Sequence, residues 1–305
     1  MNCRIKDTKW INCDGIKNLS KIHFLKKTEN KYNMIKCNRK WKCLKKRFPF
    51  RLGTSSYIIP ADILENVKAL AETVDDIELV LFESDEISNL PDQKTIDELV
   101  KLTKKHDLTY TVHLPLDINL GDSVESGRLK SVEKCLRIID IMETVKPFAY
   151  LVHCYRNNEL SDSSPAEAAD SWKSSVSQSL EKLIDYGITP HRICVETLNY
   201  PFEIIEDIVF DLKLSICLDI GHIFLGGYSM DSYMKRYLER TRVIHLHGIV
   251  DGKDHQNISN IDSKCLASLI ERLYNDGSNN RVVTLEIFNE NDFIKSMDIM
   301  ERYVY

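Results

Sequence analysis

Leu214-Ser-Ile-Cys-Leu-Asp-Ile-Gly-His222 is the stretch that decides how this chain reads. Five residues suited to a buried strand run into Asp219, and Gly221 lets the backbone turn so that His222 returns beside the acid. A single strand ending in Asp and Gly is also how ordinary loops begin. Repetition gives the motif its weight. Strand-like runs recur over the last five-sixths of the chain, and from the second onward each reaches a His, Asp or Glu at or near its C-terminal end.

Upstream of this stretch, Arg51–Tyr57, Ile77–Phe82, Leu108–Leu114, Phe148–Val152 and Arg192–Val195 read as strands, and downstream Val243–Leu246 and Val282–Leu285 do so. Helical periodicity fills the intervals at Asp62–Thr73, Pro91–His106, Val124–Val145, Ala166–Tyr186, Phe202–Phe210, Asp231–Arg240 and Ser263–Asn275, and a last helix covers Asp292–Tyr303. Eight strands in strict alternation with eight helices predict a parallel sheet with helical crossovers, and the count and length match a (β/α)8 TIM barrel. An open doubly wound sheet is the alternative. It lacks its phosphate fingerprint here, since Leu52-Gly-Thr-Ser-Ser-Tyr57 offers only one glycine.

The chain has 305 residues, 43% of them hydrophobic, as expected of a soluble protein with one large α/β domain or two small ones. No run approaches the 18 or so apolar residues of a membrane span, and the N-terminus lacks the apolar core of a signal peptide, so the reading is cytoplasmic. Nine cysteines are scattered singly. Cys154, Cys194 and Cys217 fall inside apolar strand runs, where a thiol packs as a small hydrophobe, and this usage fits a reducing compartment.

The net charge of −5 hides an asymmetry: residues 1–50 carry 15 Lys and Arg against 3 Asp and Glu, leaving 26 against 43 for residues 51–305. The break near Phe48-Pro49-Phe50 divides a basic, partly disordered extension, 1–50, from a barrel domain, 51–305. Cys3, Cys13, Cys37 and Cys43 show no paired C-x-x-C knuckle, which disfavours a zinc module. A nucleic-acid or membrane-surface role for the extension stays open.

Barrel enzymes place their chemistry at the C-terminal ends of the strands. Those exits collect Glu83, His113, His153, Glu196, Asp219 with His222, His245 with His247, and Glu286. Several carboxylates in one cleft repel one another unless a cation holds them ionised. Imidazoles mixed with carboxylates suit zinc, with manganese or iron as alternatives, and eight or more candidate ligands suggest two or three ions sharing bridging carboxylates. Paired ions about 4 Å apart clamp the attacking and leaving oxygens of a phosphoryl displacement.

The ordered set Glu196, Asp219-x-x-His222, His245 and Glu286 resembles the metal site of the xylose-isomerase-like barrels, which include sugar epimerases, isomerases and zinc-dependent abasic-site nucleases of the endonuclease IV type. His113-Leu-Pro-Leu-Asp-Ile-Asn-Leu-Gly121 and Val152-His153 resemble the two additional histidine motifs of the nuclease branch. Arg51-Leu-Gly-Thr-Ser-Ser-Tyr-Ile-Ile-Pro60, Asp76-Ile-Glu-Leu-Val-Leu-Phe-Glu83 and Leu108-Thr-Tyr-Thr-Val-His-Leu-Pro115 are similar to cobamide-remodelling phosphodiesterases. The resemblance spans residues 51 to about 290.

It implies a metal-dependent hydrolase that cuts the nucleotide-loop phosphodiester of a cobamide, with Glu196, Glu286 and His222 as catalytic candidates. His113, His153 and Glu196 would hold one zinc ion, and Glu196 would bridge to a second held by Asp219, His245 and Glu286. A third would need His222 with an acid and a His from Asp251-Gly-Lys-Asp-His255, where Asp254 and His255 are adjacent and the nuclease motif has one residue between them. His247 either replaces a loop ligand or contacts substrate, and Glu83 either faces substrate or is structural. An abasic-site nuclease is the second reading, disfavoured by the acidic barrel unless the extension supplies a basic groove. A third is a single-ion sugar epimerase or isomerase on Glu196, Asp219, His245 and Glu286, with two carboxylates as acid and base. A non-catalytic corrinoid-binding barrel is the remaining alternative.

Overall fold

Alternating buried strands and one-sided helices close on themselves here. The structure is a computed structural model that describes residues 41–84, 88–156, 165–278 and 280–305. Most of the basic extension, with Cys3, Cys13 and Cys37, lies outside the described residues. The barrel consists of β1 (Arg51–Ser55), β2 (Asp76–Val80), β3 (Thr109–His113), β4 (Ala149–Val152), β5 (Ile193–Glu196), β6 (Ser215–Asp219), β7 (Thr241–Leu246) and β10 (Val282–Leu285). Sequential neighbours pair in parallel, and β10 closes the ring between β7 and β1. All eight strands fall where the sequence places them.

The outer ring is α1 (Ile63–Leu70), α2 (Gln93–His106), α3 (Glu125–Glu143), α4 (Pro165–Asp185) and α5 (Glu206–Asp211), followed after a short α6 (Ile220–Leu225) by α7 (Met230–Tyr237), α8 (Ser263–Asp276) and α9 (Glu290–Glu301). Helix α8 shows why such segments are helical. Leu266, Leu269, Ile270 and Leu273 recur at helical spacing and are buried, Asp262 Oδ1 accepts the N–H groups of Lys264 and Cys265 at the start, and Gly277 ends the helix at φ 62°.

Strand periodicity sorts the residues between two compartments. Tyr150, Val152, Ile193, Val195, Ile216, Leu218 and Ile244 face the helices in the main core. The alternate positions Ala149, Leu151, Cys194, Cys217 and Val243 form a separate buried cluster inside the barrel. Two residues further along, each of those strands presents its charged group: His153 after Leu151, Glu196 after Cys194, Asp219 after Cys217, His245 after Val243. The polar layer thus sits directly above an apolar plug, at the C-terminal mouth.

Two insertions extend that mouth. Helix α6 follows β6 directly, and a hairpin of β8 (Gly248–Val250) and β9 (Lys253–Gln256) follows β7. The sequence reading contained neither. Six residues are too few to show helical periodicity. The hairpin turn is Asp251-Gly252 with φ 51° and 73°, the two-residue Asp-Gly connection that favours a hairpin, so its signal was present in the sequence.

Trp41–Phe50 is grouped with the basic extension by charge, yet Trp41 packs on Phe293 of α9 and Leu44–Phe50 packs at the N-terminal ends of β1 and β2. Leu44 is 1% exposed and donates its N–H to Thr73 O at 3.0 Å, Lys46 N–H reaches Asp75 Oδ1 at 2.9 Å, and Phe48 stacks on Phe50 with centroids 5.0 Å apart.

Candidate metal centre

Strands β3, β4 and β5 bring three donors together. His113 Nε2 and His153 Nε2 are 3.2 Å apart, and Glu196 Oε2 lies 3.6 Å from the first and 3.1 Å from the second. The far nitrogens are engaged, His113 Nδ1 with Leu114 O at 2.8 Å and His153 Nδ1 with the Tyr155 hydroxyl at 2.5 Å. When His113 Nδ1 carries the proton for that carbonyl, its Nε2 turns a lone pair toward the other two donors.

Strands β5, β6, β7 and β10 form the adjoining group. His245 Nδ1 stands 3.6 Å from Glu196 Oε2, 3.7 Å from Asp219 Oδ2 and 3.2 Å from Glu286 Oε2. These four residues offer ligand atoms within 4.8 Å of one another, and so do His113, His153 and Glu196. Glu196 belongs to both groups.

The residues fit cations on a specific observation. Glu196 Oε2, His245 Nδ1 and Glu286 Oε2 are buried without a hydrogen-bond partner among the described residues, although they point at one another across 3.2 to 3.6 Å. A buried polar atom left so costs on the order of 1–3 kcal/mol, more when charged, and a divalent ion between these atoms removes that cost. Mixed imidazole and carboxylate donors match zinc, manganese or iron.

The electrostatics state the same demand. Burial opposes ionisation of Glu196, yet His153 and His245 hold its carboxyl well below the usual range, and His245 and His255 do the same for buried Glu286. Burial likewise opposes Asp219, which His222 and His247 bring to about 2. His222 is lowered by burial but raised overall to about 9, Asp219 being the main cause. Protons on imidazoles thus balance the carboxylates wherever a cation does not.

The insertions supply the remaining candidates. Asp219 accepts the His222 N–H at 2.7 Å and so starts α6, which carries the His222 ring back over the cluster with Nε2 3.9 Å from Asp254 Oδ2. Among the described residues, His222, Asp254 and His255 do not form one three-ligand group. His255 Nδ1 lies 3.0 Å from Asp254 Oδ1 and its Nε2 3.3 Å from Glu286 Oε2, so the imidazole links the hairpin acid to Glu286, and its ring lies against His247. The φ of 54° at His255 sharpens the turn that places both side chains there. His247 is wholly buried within the cluster, not exposed to an incoming substrate.

Glu83 stands apart from the centre. Its Oε1 pairs with Arg137 of α3 at 2.8 Å, and its backbone bridges to Ser88. The acid that strand β2 does contribute is Glu78, fully buried, with Oε2 2.8 Å from His245 Nε2. Cys217 lies within reach of Glu196 and His245, but burial raises its thiol well above the usual value, as it pushes Cys154 and Cys194 up to about 12. These thiols pack.

The profile of the xylose isomerase-like TIM barrel family matches residues 67–303. No curated protein matches the sequence. Among solved structures, a D-tagatose 3-epimerase-like protein is similar at a TM-score of 0.67 and 24% identity, over 83% of this chain and 97% of that one. The AP endonuclease, family 2, from Brucella melitensis is similar at 0.59 and 15%, over 84% and 99%. The IOLI protein with a bound zinc atom is similar at 0.63 and 14%, over 84% and 98%.

Proposed function

Because the chain belongs to the xylose isomerase-like TIM barrel family, we propose that it is a metal-dependent phosphodiesterase that hydrolyses the nucleotide-loop phosphodiester of a cobamide. The observation that carries this reading is the second donor group. A one-ion epimerase needs only Glu196, Asp219, His245 and Glu286, whereas here His113 and His153 stand 3.6 and 3.1 Å from the same Glu196 oxygen. Two or three divalent ions, zinc by preference, would polarise the phosphoryl group and bring a bound water near neutral pKa.

The side chains supply the setting. Glu196 is the shared carboxylate, Glu286 and Asp219 complete the acidic face, and Glu78 fixes the orientation of His245. His222 reaches over this face from α6 with Nε2 3.9 Å from Asp254 Oδ2, placed to donate to a phosphate oxygen once that carboxylate is engaged elsewhere. Tyr57, Val80, Phe82 and Phe288 form an apolar wall beside the centre, with Phe288 5.0 Å from the His255 ring. Such a wall excludes water and suits the organic part of a large ester. The cobamide itself rests on the motifs at residues 51–60, 76–83 and 108–115.

The test combines metal analysis with turnover. Purified full-length protein is expected to hold at least two ions per chain, to release the nucleotide from a cobamide, and to lose one ion with most turnover in His113→Ala. One ion per chain with sugar epimerisation would establish the second reading, which the complete four-residue group favours. Cleavage of abasic DNA without action on cobamides would favour the nuclease.

A further inference from the structure

We infer that His247 is a positioning residue, an imidazole that carries its proton on Nε2, donates it to the Asp219 carboxylate, and is itself neither a metal ligand nor a substrate contact. The inference rests on the metal-centre reading above and concerns how one of its ligands is aimed.

The backbone N–H of His255 points at His247 Nδ1 at 3.0 Å. That nitrogen must then accept, so the proton belongs to Nε2, which lies 3.2 Å from Asp219 Oδ1 and 3.3 Å from Oδ2. The competing contact, Nδ1 to Gly248 O at 3.3 Å, would need the proton on the other nitrogen and is longer. Asp219 Oδ1 also receives the His222 N–H at 2.7 Å. Each carboxylate oxygen therefore has a donor, the His222 N–H on Oδ1 and His247 Nε2 on Oδ2, the oxygen that also faces His245 Nδ1 at 3.7 Å. A carboxylate held by a donor on each oxygen cannot turn about its Cβ–Cγ bond, so its remaining lone pairs point in a fixed direction.

The surroundings leave the ring no second position. A Cβ at Gly221 would fall 2.0 Å from His247 Cε1, so only glycine fits beneath the imidazole. On the other side the His255 ring lies with centroids 4.6 Å apart and planes inclined by 29°. The β8–β9 hairpin is thus part of the device, since the residue that fixes the proton by its backbone is the one that touches Glu286 by its side chain.

The rival role is explicit, because Asp219, His222 and His247 offer atoms within 4.8 Å of one another and could hold an ion themselves. Nitrogen-15 NMR of histidine-labelled full-length protein separates the two, with the His247 signals identified by their loss in His247→Gln. The expected result is a protonated Nε2 and a bare Nδ1 in both metal-free and zinc-saturated protein. Loss of the Nε2 proton on zinc saturation would overturn the inference. Gln can accept from His255 and donate to Asp219, so His247→Gln should keep the zinc stoichiometry and lie within about threefold of the parent affinity, while His247→Leu should weaken it about 10- to 100-fold. One zinc fewer in His247→Gln would make His247 a ligand. A parent protein that binds no zinc would remove the metal-centre reading, and the metal-free spectrum would still decide the proton's place.

Discussion

Glu78 shows how much of the centre depends on a residue that does not face it. By accepting from His245 Nε2 it determines that Nδ1 is the nitrogen presented to Glu196, Asp219 and Glu286. Glu78→Leu should lower metal affinity about 10- to 100-fold with the fold retained, and Glu78→Gln much less, since an amide oxygen also accepts. Chelator competition measures both, and equal affinity in parent and Leu variant would refute the role. Glu78 lies inside β2 and not at its exit, so strand ends alone do not reveal it. The signal was Asp76-x-Glu78, two acids of one face inside an otherwise apolar strand. Glu83 is the complementary case: it lies three residues past β2, where the chain has left the barrel wall, and it pairs with Arg137, which fits the structural one of its two expected roles.

Asp76 itself yields a pH prediction. It is fully buried, and burial pushes its carboxyl up to about 6 against hydrogen bonds from Thr109 and Thr111. A folded-state value above the ordinary 3.8 means that the neutral form is favoured, so this contribution to stability is complete below pH 3.8 and is lost as pH rises through 6. The stability cost of Asp76→Asn should therefore shrink by about 2 kcal/mol between pH 4 and pH 7.5. Denaturant titrations at the two pH values read the difference, and a constant cost would show that burial does not control this group.

Among the elements, the eight strands were legible because each is a short run rich in β-branched and apolar residues between turn signals, and the large helices because they repeat apolar residues at helical spacing. What escaped were α6 and the β8–β9 hairpin, whose shapes come from tertiary contacts: α6 from the Asp219 cap, and the hairpin from its seat on α6 and on the Ile258–Asn260 turn. They carry His222, Asp254 and His255, so the least legible elements complete the site. Gly248 anchors the hairpin, since a Cβ there would lie 2.3 Å from Asn257 O. Gly248→Ala should displace the hairpin and weaken metal binding at least tenfold. Asp262→Ala, which removes only the cap of α8, should cost about 1 kcal/mol and leave metal affinity unchanged. Calorimetric melting and metal titration on both variants separate the effects, and a Gly248→Ala protein of normal affinity would show that the hairpin can shift without consequence.

For the molecule as a whole, the last residues on the basic side of the charge break pack against the barrel. Leu44 and Phe50 are core residues, although the surrounding stretch is strongly basic. Charge registers what faces solvent, and Lys42, Lys45 and Lys46 point outward or onto carbonyls and carboxylates while the apolar residues between them turn inward. Leu44→Ala should cost about 2–5 kcal/mol of stability without altering metal stoichiometry, since it lies at the opposite end of the barrel from the cations' ligands. A melting temperature equal to the parent's would mean that this segment contributes no core.

The two donor groups share one side chain and otherwise draw on separate staves: β3 and β4 serve only the first, β6, β7 and β10 only the second. Exchanging His113 and His153 would leave a complete one-ion pocket on an untouched frame. The wall of this barrel thus separates the parts of the cluster, so that one donor group can be removed while every stave that carries the other stays in place.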